Sequence, residues 1–249
     1  MKSKHDIIWL QNIDSTNNEA QRHISELDNL SVVSALSQSG GRGQRGNTWL
    51  SEPGKNLLFS VVLKLPIQAY DQFVISQMIS LAVVDLLGEH DIEAKIKWPN
   101  DIYIGDRKVC GILIENAVSG KWISNSVVGI GLNVNQRNFD VSLPNPTSMT
   151  LSCPNEYDLE DLLEQYIGIL SDYIDRFCHI SGGYNRLNQL YLAQMWRRNE
   201  EYEFMDNTTS PALRFTGIIR GISTVGHLLI ETTEGELREF AFKDISYVI

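Results

Sequence analysis

The chain has 249 residues, 43% of them apolar, and a formal charge of -10. That length suits one large domain or one large and one small, and the apolar share excludes wholesale disorder. The acidic balance argues against nucleic acid as the main partner, because such proteins carry a basic footprint.

Ile7 to Leu10 reads as a short strand. Thr16 and Glu19 stand at capping-box spacing, which predicts a helix start there. Leu30 to Gln38 reads as a second strand. A run of glycines and arginines follows, Gly41-Arg42-Gly43-Gln44-Arg45-Gly46, with Trp49 three residues on. Asn56 to Leu65 alternates like a strand and ends at Pro66. Val74, Met78, Leu81, Ala82 and Leu86 give Gln72 to Leu87 a helical period. Lys97-Trp98-Pro99-Asn100-Asp101 then turns into a hairpin, Ile102 to Ile104 and Lys108 to Asn116, around Gly105-Asp106. Trp122 to Val134 reads as a strand closed by Gly129-Ile130-Gly131-Leu132-Asn133.

Arg137 to Thr150 is polar and reads as a long mobile loop. The apolar period from Leu159 to Phe177 predicts a strongly amphipathic helix. Gly182-Gly183 breaks it, and a second helix runs to about Trp196. Between Glu156 and Asp206 eleven acidic residues face four arginines, a pattern that reads as a solvated helical face. After Arg198 only short strands remain: Tyr202 to Met205, Leu213 to Ile222, His227 to Glu231, Leu237 to Phe242 and Ser246 to Ile249. They predict a small β-barrel, and the boundary is placed at 198/199.

Cys110, Cys153 and Cys178 are odd in number and lack C-x-x-C spacing, which fits a reducing cytosol better than a disulfide scaffold. The five histidines are scattered without ligand spacing, so no structural metal is expected. The segment after Met1 does not resemble a signal peptide, and no apolar run reads as long enough to span a bilayer.

Glycines allow close backbone approach, and arginines offer planar forks for phosphate or carboxylate. The glycine-arginine run therefore reads as an anion cradle. Gly41, Gly43 and Gly46 fit a G-x-G-x-x-G spacing, but no helix follows, so a dinucleotide fingerprint fails. A Walker A ending and a Gly-x-Ser-x-Gly elbow are both absent.

Taken in order, the glycine-arginine run, Lys97 to Asp101, Lys108 with Gly111, and Gly129 to Asn133 resemble the biotin protein ligase family. Asp14-Ser15-Thr16-Asn17 and a C-terminal barrel with Gly217 and Arg220-Gly221-Ile222 match it too. The resemblance covers nearly the whole chain. It implies an α/β fold, a mixed sheet backed by helices with a small SH3-like barrel. It also implies a 1–198 catalytic domain and a 199–249 barrel domain. The chain reaches its catalytic motifs soon after Met1, so the likeness is to the monofunctional type without a DNA-binding domain.

The resemblance implies that biotin and ATP, with Mg²⁺, form biotinyl-5′-AMP, which passes to one lysine of a biotin carboxyl carrier domain. Lys108 would contact the biotin carboxylate and the adenylate phosphate. Arg42 and Arg45 would clamp phosphate. Ser15, Thr16, Asn17, Gln38 and Gly41 would meet biotin, with Gly111 and Gly129 admitting its bicycle. Trp49 would wall the pocket or meet the adenine, Asn133 would meet the adenine edge, and Asp101 would orient the incoming lysine. Many members carry a basic residue where this chain has Gln44. Lipoate–protein ligases share the fold and the adenylate mechanism but carry a different signature. A cytoplasmic location is expected, without nucleic acid or membrane, and exposed strand edges leave a homodimer open.

Overall fold

The computed structural model describes residues 6–43, 46–178, 180 and 182–248. Seven strands form one sheet: β1 (Ile7–Ile13), β2 (Val32–Gln38), β3 (Leu57–Leu63), β4 (Lys95–Lys97), β5 (Asp101–Ile104), β6 (Arg107–Ser119) and β7 (Trp122–Leu132). Their spatial order is β1-β2-β3-β7-β6-β5-β4. β1 and β2 run parallel and the other pairs antiparallel. The three-residue β4 was not anticipated, being too short to show a period.

Asn56 to Leu65 is expected to alternate, but β3 is a nearly continuous apolar run and all seven of its positions are buried. The reason is that both faces of the sheet are covered. Leu57, Phe59, Val61 and Leu63 join the large core made with helices α2 (Phe73–Glu89), α4 (Leu159–Phe177) and α5 (Gly183–Ala193). Val62, with Val33 and Val127, packs instead beneath α1 (Thr16–Arg22) through Ala20.

α4 begins at Asp158, whose carboxylate accepts from the backbone N–H groups of Glu160 and Asp161 at 2.9 and 3.0 Å, a cap of the usual kind. Leu162, Leu163, Tyr166, Ile167, Leu170, Ile174 and Phe177 are buried, while Glu160, Asp161, Asp172 and Asp175 stay exposed, as the solvated-face reading expected. The span Ala69–Glu89 is long and apolar enough to cross a membrane by composition, contrary to the sequence reading. Its most apolar window is 72% buried inside the protein, so it serves here as a core helix.

The capping-box expectation at Thr16 is corrected. The helix N-cap is Ser15, and no side chain of its own caps it. The Thr16 N–H donates to Gln38 Oε1 at 2.8 Å, and the Thr16 hydroxyl meets Ser60 at 2.8 Å instead. The Arg137 to Thr150 segment is tied to β6 near its end. Lys108 N donates to Asn145 O at 2.8 Å and Thr147 N to Lys108 O at 2.9 Å, and a short helix α3 (Met149–Ser152) follows.

The tail forms a five-stranded antiparallel sheet from β8 (Glu201–Asp206), β9 (Leu213–Ile222), β10 (Leu228–Thr232), β11 (Leu237–Phe240) and β12 (Ile245–Tyr247), ordered β11-β10-β9-β8-β12. Its aromatic core packs Phe204, Phe215, Phe240 and Tyr247 against one another, and it is consistent with an SH3-like barrel. Trp98 fastens it to the larger sheet. The indole Nε1 donates to Gly226 O at 2.9 Å, and its ring meets Phe242 edge-on at 5.9 Å. Trp98→Phe removes that donor and some volume from a buried joint. It should cost about 2–4 kcal/mol in urea denaturation, and an unchanged midpoint would contradict the fastening role.

Candidate active site

The cleft follows from the register of the central strands. On the α1 face, Leu58, Gly131 and Gly111 lie in one cross-strand row, and Ser60, Gly129 and Leu113 in the next. The glycines leave a trough. A Cβ on Gly111 would come within 2.6 Å of the Trp49 ring, and one on Gly131 within 2.5 Å. A Cβ on Gly129 would meet Asn17 Oδ1 at 2.2 Å. Any side chain at these positions would displace Trp49 or Asn17. The resulting cleft has a volume of about 670 Å³.

One end of the cleft is polar and closed. Ser15, Thr16, Asn17 and Gln38 line it, and the first three are buried. Ser60 Oγ stands 2.6 Å from Asn17 Oδ1. The middle holds a cation. Lys108 Nζ lies 2.8 Å from Asp101 Oδ2 and 5.7 Å from the Trp49 ring centroid. At the far end Asn133 donates through Nδ2 to Thr147 O at 2.9 Å. Its Oδ1 and the Trp49 Nε1 are buried without a hydrogen-bond partner among the described residues. Buried polar atoms are normally paired, so this acceptor and this donor are exceptions at the far end of the cleft.

Of the residues expected in the site, Ser15, Thr16, Asn17, Gln38, Arg42, Trp49, Asp101, Lys108, Gly111, Gly129 and Asn133 all line this cleft. Gly41 is not among its lining residues. It supports the wall, its carbonyl accepting from Trp49 N at 3.0 Å. Arg42 lines the cleft but points its guanidinium at Glu115, with Nη1 and Nη2 donating at 3.0 and 2.7 Å. Arg45 and Gln44 lie outside the described residues.

Several participants escaped the sequence reading. Gly131 was quoted in a motif but given no role, although its two-residue spacing from Gly129 puts both on one face. Glu115 carries no local signal at all. Nor do Tyr103 of β5, or Phe242, Ser246 and Tyr247, which bring the barrel into the lining. Lys97 sits between these sheets. Its Nζ donates to Tyr103 Oη at 3.1 Å and lies 5.0 Å from the ring centroids of both Tyr103 and Tyr247. Burial brings the Lys97 ammonium down to about 8; Asp101 opposes the shift, and Lys108 and Arg197 add to it. Burial also pushes the Tyr103 hydroxyl up to about 12.

The cleft has a closed polar end, a central lysine–carboxylate pair and an aromatic far end, set on a mixed sheet backed by helices. The family model for the biotin/lipoate A/B protein ligases matches residues 9–133, and the chain belongs to that family. It is 34% identical over 230 residues to the bifunctional ligase/repressor BirA of Escherichia coli, covering 88% of this chain and 67% of that one. It is 28% identical over 240 residues to biotin–protein ligase 1, chloroplastic, of Arabidopsis thaliana, covering 94% and 64%. The chain thus spans about two thirds of these relatives. The biotin protein ligase of Aquifex aeolicus in complex with biotin and ATP superposes with a TM-score of 0.81 at 27% identity, covering 98% of each chain.

The Lys97 environment makes a pH prediction. Its folded value lies below the ordinary 10.5, so between about pH 8 and 10.5 the unfolded chain binds the extra proton and stability rises with pH. Compared with Lys97→Met, the wild type should therefore gain stability between pH 7 and pH 10 in urea titrations. A pH-independent difference between the two would contradict the buried ammonium.

Proposed function

We propose that this protein joins biotin to ATP as biotinyl-5′-AMP and then passes biotin to a lysine of a biotin carboxyl carrier domain. The observation that carries the reading is the place of Lys108. It is a cation midway between a polar closed end suited to a cyclic urea and an aromatic end suited to adenine. We assign residues 1–198 to the catalytic domain and 199–249 to an SH3-like domain that lends it a wall. The three free cysteines support a cytoplasmic setting.

In the first step a biotin carboxylate oxygen attacks the α-phosphorus, the bond from that phosphorus to the bridging oxygen breaks, and pyrophosphate leaves. Two like charges at 4 Å repel by about 4 kcal/mol at an effective dielectric near 20. Lys108 sits where the two anions meet and offsets part of that repulsion. Arg42 would turn from Glu115 to the phosphate, as one guanidinium exchanges one anion for another.

The same exchange prepares the second step. When the adenylate takes Lys108, Asp101 loses its partner and can receive the ammonium of the carrier lysine. The carboxylate orients that amine but also favours its charged form, so its role is placement rather than strong base catalysis. Once deprotonated, the amine attacks the acyl carbon, the bond from that carbon to the phosphate oxygen breaks, and AMP leaves.

Mg²⁺ belongs with the nucleotide in this reading. Among the described residues no group of three His, Cys, Asp or Glu could hold a metal. Asp101 is the one carboxylate among the lining residues. These residues do not build a resident Mg²⁺ site, whereas Mg²⁺ commonly rides on substrate phosphates.

Pyrophosphate exchange into ATP tests the reading. It should require biotin and fail with lipoate, octanoate or no acid; exchange with lipoate instead would replace biotin as the substrate. Lys108→Ala should slow this exchange by about 10²–10³. Asp101→Ala should leave exchange within about threefold and slow transfer from preformed biotinyl-AMP by tenfold or more. Equal losses in both half-reactions for both variants would overturn the division of labour.

A further inference from the structure

The face of the sheet that carries the cleft has a third cross-strand row, Val62, Val127 and Glu115. The reaction as proposed uses Glu115 only as the resting partner of Arg42. Yet Glu115 Oε2 accepts from two side chains, Arg42 Nη2 at 2.7 Å and Asn17 Nδ2 at 2.7 Å, while Oε1 accepts from Arg42 Nη1 at 3.0 Å. Asn17 Oδ1 lies 2.6 Å from Ser60 Oγ, which lies 2.8 Å from Thr16 Oγ1. Asn17, Ser60 and Thr16 are all buried.

This chain of contacts has a direction. A carboxylate in a bidentate pair with a guanidinium offers acceptors only. Asn17 must therefore turn its NH₂ toward Glu115 and its Oδ1 toward Ser60. That oxygen can only accept, so the single hydroxyl hydrogen of Ser60 points to it. The contact between Ser60 and Thr16 then needs the hydrogen of Thr16. The Thr16 hydroxyl is left with its lone pairs, and the Thr16 N–H is already given to Gln38 Oε1. Remove the carboxylate and each later hydrogen is free to reverse.

We propose that Glu115 is a positioning residue that sets the hydrogen-bond polarity of the closed end of the cleft. It makes Thr16 Oγ1 and Asn17 Oδ1 acceptors, which selects a head group that presents N–H donors, as a cyclic urea does. The proposal rests on the biotin reading above and deepens it. It also joins the head-group end to the glycine-arginine loop, since one carboxylate holds both Asn17 and Arg42. Glu115 acts through Asn17 and needs no contact with the substrate.

The test measures pyrophosphate exchange with biotin and with its two lactam analogues, in each of which one ureido N–H is replaced by CH₂. For the wild type, at least one lactam should show a KM about tenfold or more above that of biotin, because a site built to pair an N–H rejects a ligand lacking it. Glu115→Leu should raise the KM for biotin about tenfold with kcat within about threefold. It should also shrink the lactam penalty below about threefold. Ser60→Ala interrupts the relay between Asn17 and Thr16 by a small change and should shrink the part of the penalty that Thr16 sets, which keeps the test open should Glu115→Leu fail to fold. Glu115→Gln still offers an acceptor to Asn17 and should retain the penalty. An unchanged lactam penalty in Glu115→Leu and Ser60→Ala would overturn the inference while leaving biotin as substrate. Failure of the wild type to use biotin would overturn the functional reading itself.

Discussion

Everything in the cleft depends on glycines in adjacent rows of a covered sheet. A seven-stranded sheet with helices on one face has to cover the other or leave apolar surface wet. Here α1 covers part of that second face through Ala20, Val33, Val62 and Val127. Beside α1, Gly111, Gly129 and Gly131 lower the surface by one side-chain layer. Trp49 and Asn17 descend into the space, closer than any Cβ would permit. The trough is therefore a packing consequence before it is a chemical one. Strand pairing keeps its floor flat and fixed, which suits a site that works by holding groups in place.

The second theme is charge held in exchangeable pairs. Lys108 pairs with Asp101 and Arg42 with Glu115. All four side chains are partly exposed, so each pair is worth little to stability. In the proposed reaction their worth lies in keeping these four charges paired until a substrate anion takes over either cation. Lys97 differs. It lies deeper, among Tyr103, Trp196 and Tyr247, and its ammonium is partly stripped of water.

The Trp98 turn links these features to the barrel. Trp98 faces Phe242 and Gly226 of the tail, while the same short turn delivers Asp101 to β5. Tyr191 Oη donates to Pro99 O at 2.9 Å from the helix side. The turn is thus gripped from two directions, by α5 and by the barrel. It joins the barrel to Lys97 and Asp101, beside which a carrier lysine is proposed to arrive.

How far could these features be read from the residues alone? The strands and helices with strong periods were legible: Leu159 to Phe177 declared its buried stripe, and Leu213 to Ile222 its strand. So was the set of motifs around Lys108, because glycines and charges in fixed order are local signals. The amino-acid sequence by itself determined most of the strands and helices, the hairpin around Gly105-Asp106, the apolar stripe of Leu159 to Phe177 and the order of the motifs. Only the tertiary structure decided what those residues touch. It put Thr16 to work on Ser60 rather than as a cap, buried both faces of β3, and turned Arg42 toward Glu115. It also carried Tyr247 across from the barrel. The physical reason is range. Period and turn chemistry act over a few residues, whereas Glu115 meets Arg42 across 73 positions and Asn17 across 98. Contacts at that separation exist only after strand register and helix packing have been chosen for the chain as a whole.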